Sequence, residues 1–120
     1  MLNLDTHILV ASLAGDLTPR EEDLVLAESL VVADIVLWEL AKLVQLKRLT
    51  LDMDSVAFRR VLRHLTIIPI TIQIARQSTK LDFASDPADE LIAATSIVER
   101  IPLLTRDKKI LKSRVVPLAK

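Results

Sequence analysis

The sequence predicts an α/β protein, a three-layer α/β/α fold with a short central parallel sheet covered by helices on both faces. Three observations carry that prediction. Apolar strand segments alternate with helical segments along the chain, the pattern that builds a parallel sheet with helical crossovers. Leu30-Val31-Val32-Ala33 is β-branched and apolar without alternation, as a central strand buried on both faces requires. Ser85–Asp107 holds a complete helix–strand unit. Asp86-Pro87 starts a helix that runs to about Arg100, Pro102 stops it, and Leu103-Leu104-Thr105 follows as a strand. At 120 residues, the span 1–120 is one domain with room for a core.

The remaining elements are read in order. Met1 to Asp5 is a first strand ending in a carboxylate, and Thr6 caps a helix over His7–Ala14. Ala14-Gly15-Asp16 is a turn. Thr18-Pro19-Arg20-Glu21 is a capping box that opens a second helix ending near Ser29. After the Leu30–Ala33 strand, Asp34 caps a helix from Ile35 to Lys47 whose apolar residues nearly surround it. Such a helix is expected to be buried on most sides, with Trp38 in the core. Asp52 or Asp54 caps a helix through about His64 that carries Arg59, Arg60 and Arg63 on one face. Thr66-Ile67-Ile68 is a third strand, and Thr71 caps a helix from Ile72 to about Lys80. After Asp107 come a short helix, Lys108–Lys112, and a last strand, Val115-Val116-Pro117.

Composition narrows the function. Hydrophobic content of 51% with 27% charged residues marks a globular chain, and charges interrupt every apolar run before it could span a membrane. No signal peptide is legible and no cysteine is present, so disulfides and thiolate metal sites are excluded and a cytoplasmic location is expected. The single glycine, Gly15, excludes glycine-rich phosphate loops, and three aromatic residues, Trp38, Phe58 and Phe83, exclude base stacking as the main source of affinity. Sixteen basic and sixteen acidic residues cancel, so bulk charge recruits no polyanion.

The acids are the signal. Asp5 ends the first strand, Glu39 lies about one turn into the helix after the second, Asp89 lies in the first turn of the helix at Pro87, and Asp107 follows the last buried strand. Topology delivers all four to the C-terminal edge of the sheet, where open α/β sheets hold their ligands. Two carboxylates about 4 Å apart repel by roughly 4 kcal/mol at an effective dielectric of about 20, so four together call for protonation, pairing or a cation. An all-oxygen set suits Mg²⁺ or Mn²⁺, and the matching chemistry is metal-assisted phosphodiester hydrolysis. Taken singly, Asp107 also fits a plain helix cap, Glu39 a partner for Lys42, Asp86 a cap and His7 a structural residue or a local hydrogen-bonder. Arg106, Lys108 and Lys109 flank Asp107 and are candidate phosphate contacts.

Four segments together carry a family resemblance: Leu4-Asp5-Thr6-His7, Leu37-Trp38-Glu39-Leu40-Ala41-Lys42, Asp86-Pro87-Ala88-Asp89-Glu90-Leu91-Ile92-Ala93-Ala94-Thr95, and Leu104-Thr105-Arg106-Asp107. In order and spacing the chain resembles the PIN-domain nucleases, and among them the VapC-type toxins of bacterial toxin–antitoxin pairs. The resemblance implies a PIN-like fold and an acidic quartet, Asp5, Glu39, Asp89 and Asp107, holding Mg²⁺ or Mn²⁺. Asp86 falls where the family often has a further acid, and Thr6 and Thr105 become polar neighbours of the site. It also implies an endoribonuclease acting on RNA, a homodimer, and a cognate antitoxin that inserts a peptide into the acidic groove. The toxin–antitoxin complex, not the toxin alone, would bind operator DNA. Two departures bear on substrate grip and antitoxin contacts: Phe83-Ala84-Ser85 lacks the family's His or Arg, and Glu90 replaces a common Arg. A phosphoacceptor receiver domain shares size and class but needs paired acids after its first strand, where this chain has Asp5-Thr6. A catalytically silent PIN-like module that only binds protein or RNA is the other alternative.

Overall fold

The computed structural model describes residues 1–120. Strand β1 (Leu2–Leu4) is buried throughout, and Asp5 ends it. The Asp5 carboxylate accepts from the amide of Thr6 and so opens helix α1 (Thr6–Ala14) itself, one residue ahead of the predicted Thr6 cap. Gly15 closes α1 at φ 74°, a left-handed turn that costs glycine nothing. Helix α2 (Pro19–Ala27) starts on the predicted capping box, with Thr18 and Glu21 bonded reciprocally. Strand β2 (Leu30–Ala33) leads into α3 (Ile35–Gln45).

Helix α4 (Val56–Arg63) is capped by Ser55, whose hydroxyl accepts from the Phe58 amide, and not by Asp52 or Asp54; Asp52 instead accepts from Asp54 within its own turn. Strand β3 (Leu65–Ile68) and α5 (Ile72–Gln77) follow, the latter capped by Thr71 as predicted. Helix α6 (Pro87–Glu99), strand β4 (Leu103–Leu104) and α7 (Lys108–Leu111) complete the order. The predicted strand at Val115–Pro117 does not form. Ser113 accepts from the amides of Val115 and Val116 and curls that segment, leaving only a parallel bridge between Leu103 and Leu118.

All strand pairs are parallel, in the order β3-β2-β1-β4, so β2 and β1 are central as their apolar runs require. Leu4 pairs with Leu104, which places Asp5 beside Thr105 just beyond the ends of the two strands. Helix α6 packs against β2, α3 and α5, α1 against β1 and α3, and α4 against β3. Leu4, Ile8, Val32, Val36, Ile92 and Leu104 sit in one continuous core. Each side chain of that size contributes about 1.5–3 kcal/mol when fully buried.

Helix α3 corrects a further expectation. Only Val36 and Leu40, four apart, are fully buried, and Trp38 is 54% exposed. The apolar residues ring the helix, but α1 and α6 touch only part of it. Trp38 lies outside that contact with the Lys42 ammonium 5.8 Å from its ring centre.

Candidate active site

The four acids reach the same end of the sheet by four routes. Asp5 follows β1 and is fully buried. One of its oxygens accepts from the Thr6 amide at 2.8 Å, the other from the Thr105 hydroxyl at 2.6 Å. Both donors are neutral, and no lysine or arginine pairs with this carboxyl. Glu39, in the second turn of α3, accepts a short hydrogen bond from the Thr6 hydroxyl. Asp107 caps α7 by accepting from the amides of Lys109 and Ile110, and its own amide donates to the Thr105 hydroxyl at 3.0 Å. Asp89, in the first turn of α6, accepts from the Ser85 hydroxyl at 2.9 Å. Glu39, Thr6, Asp5, Thr105 and Asp107 therefore form one connected chain of hydrogen bonds from α3 across β1 to α7.

Charge couples the same residues. Burial pushes the Glu39 carboxyl above its ordinary value; the Thr6 bond opposes this, while the charges of Asp89 and Asp5 reinforce it and His7 offsets part. Asp89 is also raised, first by burial, then by Asp5, Asp107 and Asp86, against the pull of its Ser85 bond. The only ion pairs in the chain, Met1 with Glu28 and Arg106 with Glu21, leave all four acids unmatched by lysine or arginine. Glu39, Asp89 and Asp107 each retain one oxygen with no protein hydrogen bond. That all-oxygen donor set fits Mg²⁺ or Mn²⁺ in kind. The set is open, however: no three of these side chains are gathered closely enough to chelate one ion.

A wholly polar cleft of about 500 Å³ is lined by His7, Ser85, Asp86, Asp89, Asp107, Lys108 and Lys109, so Asp89 and Asp107 reach it while Asp5 and Glu39 do not line it. Asp86 faces it and makes no cap bond, contrary to the expected Asp-Pro cap; the Ser85 amide bonds Glu90 and its hydroxyl bonds Asp89 instead. Lys108 and Lys109 line the cleft, as a phosphate contact must. Arg106 does not. Its guanidinium is bonded to Glu21 at 2.6 and 2.8 Å and to the Asp16 carbonyl at 3.1 Å. Thr105 and Asp107 turn toward the acids, and the residue between them points the other way. His7, read from sequence as structural, is exposed in the cleft, one position after Thr6 in the first turn of α1. Ser85 is the other residue that sequence reasoning missed; its signal is the four-residue spacing to Asp89, the reach of one helical turn. A separate apolar cleft, lined by Val10, Leu13, Leu51, Phe58 and Val61 among others, involves none of the acids.

Comparison with known proteins places the family and the fold. The chain is 33% identical over 91 residues to Ribonuclease VapC22 of Mycobacterium tuberculosis, across 73% of this chain and 70% of that one. Its fold matches VapBC2 from Rickettsia felis, solved bound to a DNA fragment from their promoter, with a TM-score of 0.75 at 21% identity, covering 99% of this chain and 98% of that one. It likewise matches FitAcB from Neisseria gonorrhoeae, with a TM-score of 0.70 at 20% identity, covering 100% and 97%. The PIN domain sequence profile matches residues 3–115, nearly the whole chain including all four acids. This protein belongs to the PIN domain family.

Proposed function

We propose that this chain is a divalent-metal-dependent endoribonuclease and the toxin of a type II toxin–antitoxin pair. The observation that carries the proposal is the hydrogen-bonded chain of buried and half-buried carboxylates with no cation of the protein's own. Asp5, Glu39, Asp89 and Asp107 would hold Mg²⁺ or Mn²⁺, with Asp86 at the rim. When bound, such ions lower the pKa of an attacking water and stabilise charge on the entering and leaving oxygens of a phosphodiester. The Thr6 and Thr105 hydroxyls orient Glu39 and Asp5, and the amides of α7 fix Asp107. Lys108 and Lys109, beside Asp107, meet phosphate oxygens, and His7 offers a further polar contact at the mouth of the cleft.

The name of Ribonuclease VapC22 supports ribonuclease action, and VapBC2, bound to a promoter fragment, supports DNA as a partner of the complex. In this proposal residues 1–120 act as a single PIN-like domain, pair as a homodimer, and work in the cytoplasm. A cognate antitoxin inserts a peptide into the acidic groove, and operator DNA is bound only by the complex. No helix is long and apolar enough to cross a membrane. The test is cleavage of mixed RNA with Mg²⁺ or Mn²⁺ against the same reaction in EDTA, with Asp89→Asn alongside. Metal-dependent cutting that disappears in the variant is the expected result. Intact RNA throughout, with no Mn²⁺-dependent rise in melting temperature, would leave a silent binding module on the same fold.

A further inference from the structure

The only fully buried side chain of α2 is a carboxylate, Glu21, although Leu24, Val25 and Leu26 lie on the same helix. Its partner is Arg106, the residue between Thr105 and Asp107. The contact is a fork: the Arg106 Nε donates to one Glu21 oxygen at 2.8 Å and Nη2 to the other at 2.6 Å. Nη2 also donates to the Asp16 carbonyl, and the Thr18 amide donates to Glu21, so both ends of the pair are anchored in the α1–α2 turn and the α2 capping box. The Arg106 bond holds the Glu21 carboxyl down at about 2, so the pair stays charged at any working pH.

We infer that the Glu21–Arg106 pair is a positioning clamp for the acidic site. It pins the backbone of Thr105–Asp107 from the side away from the cleft, so that the Thr105 hydroxyl meets Asp5 and Asp107 stands at the cleft wall. Two side chains that carry the site leave from either side of one residue, and that residue is tied to a different layer of the molecule by three hydrogen bonds. Neither Glu21 nor Arg106 touches the cleft, so the effect passes through Thr105 and Asp107. In its consequence for metal the clamp rests on the nuclease proposal; in its consequence for the loop it does not.

The test uses Arg106→Met, Arg106→Lys and Glu21→Gln, the last keeping shape and the bond from the Thr18 amide. Val61→Ala, in α4 and remote from the site, is the control for a general loss of stability. Amide hydrogen exchange is followed without metal, and Mn²⁺ half-saturation is followed by melting temperature. Arg106→Met is expected to speed exchange across residues 104–109 and to raise the Mn²⁺ half-saturation concentration about ten-fold, the usual cost of losing an outer partner of a metal ligand. Arg106→Lys, able to make one bond of the fork, falls between, and Val61→Ala changes neither readout at the site. Should Arg106→Met not fold, Glu21→Gln carries the test. Unchanged exchange in 104–109 and unchanged Mn²⁺ half-saturation in a folded variant would overturn the inference. If the wild-type protein takes up no Mn²⁺, the nuclease proposal falls, and exchange at 104–109 decides the clamp by itself.

Discussion

Asp5→Asn separates what the acidic cluster costs from what it does. The substitution keeps size and one acceptor for the Thr6 amide, and replaces the oxygen that Thr105 bonds with an NH₂ group. Hydrogen bonds to a charged group contribute about 1.5–3 kcal/mol and neutral ones about 0.5–1.5, so weakening two of them costs roughly 2–3 kcal/mol. Against this, Asp5 is fully buried without a cation, and its charge bears on both Glu39 and Asp89. A like-charge pair about 4–8 Å apart costs roughly 2–4 kcal/mol at a dielectric of about 20, so relief matches or exceeds the loss. Without metal, the variant should melt at or above the wild-type temperature. With Mn²⁺ at about a hundred times its dissociation constant, the wild type gains about 2.7 kcal/mol, roughly 10 °C for a chain of this size, and the variant forfeits that gain. Its RNA cleavage should fall at least about a hundred-fold. Differential scanning fluorimetry with and without Mn²⁺, beside a cleavage assay, reads all three quantities. A variant that is strongly destabilised without metal, or that keeps the Mn²⁺ rise and cuts at the wild-type rate, would refute the reasoning.

Four further outcomes follow from the structure. Glu39 and Asp89 are raised above ordinary values of 4.5 and 3.8, so on their account the unfolded chain releases protons first as pH rises through those values. Their contribution to metal-free stability therefore falls with rising pH until the higher folded values are passed, and Glu39→Gln should flatten that part of a melting-temperature profile taken in EDTA. Glu21, held at about 2, acts in the opposite sense: its contribution is complete above 4.5 and is lost only as pH falls toward 2, so Glu21→Gln should remove that acid-side loss in the same measurement. Thr105→Val deletes the hydroxyl that serves Asp5 and Asp107 at once; chemical denaturation should show a loss of about 1–3 kcal/mol, with cleavage reduced further than stability alone explains. Trp38→Ser, on the exposed face of α3, should change stability by only about 0.5 kcal/mol, where a core tryptophan would cost about 3–5 kcal/mol.

What could be foreseen from the sequence divides along the range of the forces involved. The capping box at Thr18, the Thr71 cap and the Asp107 cap are local bonds between residues two or three apart, and they form as their spacing requires. The convergence of Asp5, Glu39, Asp89 and Asp107 on one end of the sheet is legible from strand direction: Asp5 and Asp107 lie just beyond strand ends, Glu39 in the helix that leaves β2, and Asp89 in the first turn of the helix that runs back into β4. Trp38 lies on the surface because an apolar ring around α3 does not say which face meets α1 and α6. Asp86 makes no cap bond, and the side-chain bonds at that end of α6 run instead from Ser85 to Asp89 and Glu90. Arg106 was assigned to the cleft from its position next to Asp107, but side chains alternate along an extended segment and its partner lies eighty-five residues away. No local signal in the sequence identifies Glu21 as that partner.

The most direct measurement is anomalous X-ray diffraction from crystals soaked in Mn²⁺. Density is expected among Asp5, Glu39, Asp89 and Asp107, with carboxylate oxygens drawn in to coordination distances of about 2.1 Å, the open set closing as the ion arrives. Full Mn²⁺ occupancy elsewhere on the protein, with these four carboxylates unmoved and empty between them, would contradict the assignment of this cluster as the metal centre.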